Sequence, residues 1–148
     1  MHKVTLSAFE FIRKFSDKEK ARVYVEDRRW NGKPKCPHCG EISRISPRSG
    51  KRIGFFQCMS CKKEFTVRTG TIFERSHIDL DKWLFGVYLL MVSRKGISSL
   101  QLSKELGIRQ PSSWFMLHRL REAYGDKLEA FTNDTEADET YIGRLDKE

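Results

Sequence analysis

Cys36-Pro37-His38-Cys39, then eighteen residues, then Cys58-Met59-Ser60-Cys61: this arrangement uses every cysteine of the chain and decides how its middle folds. Two residues between paired cysteines let both thiolates turn toward one point in a tight knuckle. A hairpin between the pairs brings the two knuckles face to face, and four thiolates then close a tetrahedron that suits zinc. Four protein ligands leave no position for water or substrate, so the expected site, Cys36, Cys39, Cys58 and Cys61, is structural. A rubredoxin-like iron centre and a pair of disulfides are the alternatives for such spacing. His38 lies between two ligands and reads as a solvated knuckle residue. A ribbon of this size has little core of its own, so its folding is expected to be coupled to metal binding.

Outward from the cysteines, β-prone pieces at 42–45, 53–57 and 64–67 predict short strands, with Ser46-Pro47-Arg48-Ser49-Gly50 as the first turn. Upstream, Ser7 with Glu10 and Ser16 with Glu19 read as capping boxes. Phe9, Ile12 and Phe15 mark the apolar face of the first helix, and Asn31-Gly32-Lys33-Pro34 ends the helical segment. Downstream, Asp79 or Asp81 caps a helix through Trp83 and Met91 that stops by Gly96. The expected organisation is mainly α with a small β ribbon: N-terminal helices over 1–33, a zinc ribbon over 34–75, a helix-turn-helix bundle over 78–130, and a further segment over 131–148.

The helix-turn-helix rests on Leu102 and Leu106 one turn apart, Gly107 for the sharp turn, and Ile108 in the angle between the helices. Pro111 is tolerated in a first helical turn. Trp114, Leu117 and Leu120 are expected to face the core. The opposite side then offers Arg109, Gln110, Ser112, Phe115, His118, Arg119 and Arg121. Polar groups early in such a helix are placed to reach base edges, and later basic ones to hold phosphates. Phe115 there suits either a domain contact or a thymine methyl. An ordinary helical hairpin is the alternative for this pattern.

Charge supports a polyanionic partner. The chain has 28 Lys+Arg against 20 Asp+Glu, a net of +8. Residues 126–148 hold eight acids and three bases, which leaves +13 on the first 125 residues. The ribbon contributes Arg48, Lys51 and Arg52 among others. Met1–Glu10 has no apolar core of signal-peptide length, and the apolar run Trp83–Val92 is too short to span a bilayer. The expected setting is therefore the cytoplasm, with no membrane partner, and a reducing cytosol favours metal over disulfide.

Three groups of residues resemble a group of bacterial insertion-sequence transposases. Cys36-Pro37-His38-Cys39-Gly40, Phe56-Gln57-Cys58, Cys61, Phe65, Thr69-Gly70-Thr71-Ile72-Phe73 and Trp83 look like their zinc ribbon. Gly96-Ile97-Ser98-Ser99, Gln101-Leu102, Glu105-Leu106-Gly107-Ile108 and Trp114 with Met116-Leu117-His118-Arg119 fit their helix-turn-helix. Ala137-Asp138-Glu139-Thr140-Tyr141-Ile142-Gly143 is similar to the opening strand of their ribonuclease-H-like DDE domain, although Arg144 stands where the family usually has a second glycine. The resemblance implies recognition of terminal inverted repeats in double-stranded DNA, a nucleoid-associated protein, and self-association or association with a full-length transposase. It assigns the first of three catalytic acids, which hold Mg2+ in the full-length enzyme, to Asp138. No position up to Glu148 matches the other two, so the 148 residues are expected not to cut DNA and Asp138 to be idle in them. Two rivals remain at this stage: a stand-alone regulator or transposition repressor, and a protein-interaction zinc module.

Overall fold

The structure, a computed structural model, describes residues 6–93 and 96–128. The expected segment 131–148, and Asp138 with it, lies outside the described residues. Five helices and one small sheet follow in the order α1 (Ala8–Lys14), α2 (Lys18–Trp30), β1 (Ile45–Pro47), a 3-10 turn (Gly50–Arg52), β2 (Phe55–Cys58), β3 (Glu64–Thr66), α3 (Leu80–Val92), α4 (Ser99–Leu106) and α5 (Gln110–Leu128). The mainly helical architecture with a small β ribbon is the one the sequence predicts.

The capping box at α1 is present in full: the Ser7 hydroxyl accepts from the Glu10 N–H and the Glu10 carboxylate accepts from the Ser7 N–H, at 3.2 and 2.9 Å. At α2 the expectation needs correction. Asp17, not Ser16, is the cap, its carboxylate accepting from the Glu19 N–H at 3.3 Å, and it adds a negative charge at the helix start. The apolar face of α1 is also displaced from the expected one. Phe11 and Phe15 are buried, whereas Phe9 and Ile12 are exposed. Residues four apart stack along one face of a helix, while the three-residue steps 9, 12, 15 drift around it.

The sheet is antiparallel in the order β1-β2-β3, with Ile45 opposite Cys58 and Phe56 opposite Phe65. The first strand starts three residues later than predicted. The amides of Ile42 and Ser43 donate to the Glu41 carboxylate, at 3.0 and 2.9 Å, and so turn about the knuckle instead of entering the ladder. Ser46 and Pro47, expected in a turn, are the strand itself. Pro47 is tolerated because β1 is an edge strand, and the turn moves on to Gly50–Arg52.

Two cores share α3. In the first, Trp30 at the end of α2 meets Phe56 and Phe65 of the sheet edge-on, with ring centroids 5.2 and 5.9 Å apart, and Phe11, Phe15, Val67 and Leu80 complete it. In the second, Trp83 packs with Leu102, Leu106, Met116, Leu117 and Leu120. Phe73 and Phe85 pack against both. Gly86 permits the close approach of α3 to α5: a Cβ there would lie 2.9 Å from Met116 Sδ. Asp79 sits at the α3 cap position without a capping hydrogen bond. Its carboxylate pairs instead with Lys18 on α2, at 2.8 Å.

Candidate functional site

The four cysteine sulfurs lie within 4.8 Å of one another. Cys36 Sγ is 3.7 Å from Cys61 Sγ, and Cys39 Sγ is 3.5 Å from Cys58 Sγ. A zinc ion with Zn–S bonds of about 2.3 Å separates its tetrahedral sulfurs by about 3.8 Å, so the two cross-knuckle distances are close to those of a filled site. Disulfide pairing does not fit, since a bonded pair stands about 2.05 Å apart. Each knuckle is closed by its own backbone: Gly40 N–H donates to Cys36 O, Cys36 N–H to Glu41 O, and Cys58 N–H to Lys63 O. Gly40 and Lys62 take the positive φ that the turns require, +77° and +62°.

The electrostatics also call for a cation. Backbone N–H groups of Cys61, and then of Ser60, hold the Cys58 thiol down at about 7 against the effect of burial. At Cys39 the Glu41 N–H acts in the same direction, but burial and the neighbouring sulfurs of Cys58, Cys36 and Cys61 outweigh it and push the thiol up to about 12. Four sulfurs packed this closely cannot all ionise without a positive charge among them.

Glu41, which the cysteine spacing does not single out, links the two knuckles. One carboxylate oxygen accepts from Ile42 N–H, Ser43 N–H and the Ser43 hydroxyl. The other accepts from the Ser60 hydroxyl of the second knuckle at 3.0 Å. These bonds, the Ser43 hydroxyl first, hold its carboxyl at about 2. One side chain thus ties the loop after the first knuckle to the second knuckle, outside the sulfur shell. A Glu followed two residues later by Ser, directly after the first knuckle, is the trace it leaves in the sequence.

The second candidate surface is α5. Ser98 caps α4, and Gly107 ends it in the left-handed conformation at φ +59°, so α5 begins three residues later. Ile108 is half-buried against the second core, as expected. Trp114 corrects the expected core face: it is 53% exposed, whereas Ser113, Met116, Leu117 and Leu120 are buried. The buried set follows steps of three and four, which track one helix face, while 114, 117, 120 mixes two faces. Trp114 instead covers His118, with ring centroids 4.0 Å apart. Arg109, Gln110, His118 and Arg121 are exposed, and Ser112 is half-buried. Gln110 donates to the Ser99 hydroxyl at 3.0 Å. Arg119 turns inward: one guanidinium nitrogen donates to Ile72 O and Glu74 O, each at 2.7 Å, and the group lies 4.4 Å over the Phe115 ring.

The ribbon cations divide in the same way. Arg48 and Arg52 both pair with Glu64, at 3.1 and 2.7 Å, and Arg52 lies over Phe55. Phe55, 38% exposed, thus lies on the ribbon's outer face. Lys51 is exposed and makes no ion pair among the described residues. Among the described residues no helix is long and apolar enough to cross a membrane.

Residues 16–64 match the family model of the transposase zinc-ribbon domain. The matched segment runs from the start of α2 to the start of β3, and so joins the helix and the ribbon that share Trp30. The chain is also 28% identical, over 131 residues, to an uncharacterized protein in transposable element ISH50 of Halobacterium salinarum. That alignment covers 88% of this chain and 44% of the relative, so the chain spans less than half of that protein's length. No solved structure matches it. Residues 16–64 thus carry the pattern of a transposase zinc-ribbon domain, and the chain is similar over most of its length to a protein of a transposable element.

Proposed function

We propose that this chain is the DNA-binding part of an insertion-sequence transposase, and that it recognises the terminal inverted repeats of its element. One structural zinc held by Cys36, Cys39, Cys58 and Cys61 organises the ribbon. The pair α4–α5 acts as a helix-turn-helix whose second helix enters the major groove. The observation that carries this reading is the exposed start of α5. Gln110, Trp114 and His118 stand exposed there, with half-buried Ser112 among them and Arg109 just before the first turn, on a helix anchored from behind by Met116, Leu117 and Leu120. A helix with a fixed back and a polar and aromatic front is what base readout requires.

Within this reading, Arg109, Gln110 and Ser112 reach bases, the Trp114–His118 pair contacts a base edge or thymine methyl, and Arg121 and Lys51 hold phosphates. Arg48, Arg52 and Arg119 are assigned to DNA as well, but their described partners give them a share in holding the protein together. The protein works in the cytoplasm, on the nucleoid. Strand cleavage and transfer with Mg2+, and the role of Asp138, belong to the whole transposase. Binding of the zinc-loaded chain to a duplex carrying the element's terminal repeat, measured against a scrambled duplex, tests the proposal. Preferential binding is expected; equal affinity for the two duplexes contradicts it.

A further inference from the structure

A cleft of about 490 Å³ opens between the end of α2, the linker after it and the first knuckle. Arg29, Lys33 and Lys35 supply its charge, Trp30 and Pro37 its apolar wall, and no carboxylate lines it. None of the three cations makes an ion pair among the described residues. That sets them apart from Arg48 and Arg52, which share Glu64. Arg29 is the anchor: it is half-buried, donates to Val67 O at 2.7 Å, and has its other terminal nitrogen 3.6 Å from where a Gly70 Cβ would stand. Burial with no acid beside it depresses its pKa, the mark of a charge still short of a counter-ion. Cys36 also lines the cleft, but its thiolate is shared with the metal, and the end of α2 contributes only about half a negative charge, so neither is a paired counter-ion for the exposed Lys33 and Lys35.

From the unpaired cations and the absence of any carboxylate, we infer that this cleft is a phosphate-binding site that takes the sugar–phosphate backbone of duplex DNA, as a second contact separate from the α5 face. It rests on the DNA-binding reading above. The two lysines are exposed and flexible and neutralise phosphates without reading sequence. The cleft lies on the zinc ribbon's own first knuckle, so loss of zinc also removes one of its walls.

Binding of the zinc-loaded full chain to a labelled duplex, at salt from about 50 to 200 mM, tests the site. In Lys33→Gln/Lys35→Gln the slope of log K against log salt is expected to become shallower by about two, and affinity at 0.15 M to fall on the order of tenfold, equally for all sequences. Each single substitution should give about half of that change in slope. Lys33→Arg/Lys35→Arg should restore it. A parental slope in the double Gln variant, with zinc content and melting unchanged, overturns the cleft and leaves the α5 reading standing. Absence of salt-dependent binding by the parent chain overturns both.

Discussion

The indole of Trp30, the last residue of α2, meets the ring of Phe56 in the ribbon's central strand edge-on at 5.2 Å. This contact makes the helix and the metal-bearing sheet one unit, because neither buries enough apolar surface alone.

Trp30→Ala should therefore unfold α2 and the ribbon together. The expected cost is about 3–5 kcal/mol for truncating a buried aromatic. A single shared transition, followed by helical circular dichroism and by metal release, checks this; two separate transitions would show that the units are independent.

One zinc per chain is expected, and Cys58→Ser should release it and unfold the ribbon, since a three-sulfur site is open and weaker. Elemental analysis reads this directly. Iron, or no metal in protein prepared without chelator, would disprove the assignment. Glu41→Ala should retain the fold but lower zinc affinity, because the link between the Ser43 loop and the Ser60 hydroxyl of the second knuckle is lost. Competition with a chelator measures it, and parental affinity would reduce Glu41 to a surface residue.

Arg119→Ala should cost about 1.5–3 kcal/mol of stability through its two charged hydrogen bonds to the Ile72–Glu74 loop. Thermal melting in the absence of DNA is the measurement. An unchanged melting temperature together with weakened DNA binding would return Arg119 to a purely phosphate-holding role.

Trp114→Ala and Leu117→Ala should behave in opposite ways. The first removes an exposed ring and should change stability by no more than about 0.5 kcal/mol, while sequence preference is lost. The second empties a core position at a cost of about 2–5 kcal/mol. Denaturant titration beside DNA binding separates them. A large stability loss in Trp114→Ala would mean that the ring packs in the core after all.

The metal centre was legible from sequence because ligand spacing is a local property: two residues between cysteines dictate a knuckle whatever surrounds it. Helix ends marked by Ser7 and Gly107 were legible for the same reason. What the sequence concealed depends on contacts between distant segments. Glu41 captures the amides that β-propensity assigned to a strand, and Arg119 is drawn inward by two carbonyls 45 and 47 residues away. The rotation of α5, which exposes Trp114 and buries Ser113, is set by the packing of Met116 against α3. Periodicity alone cannot settle a helix's facing to within one residue when apolar side chains occur on both sides of it.

The central claim, that α5 reads DNA sequence, is tested most directly by selection of binding sites from random duplex DNA with the zinc-loaded chain. One short motif should be enriched, retained in Lys33→Gln/Lys35→Gln at reduced yield and lost in Trp114→Ala or Gln110→Ala. A pool that stays at input composition, or a motif untouched by both α5 substitutions, would contradict it.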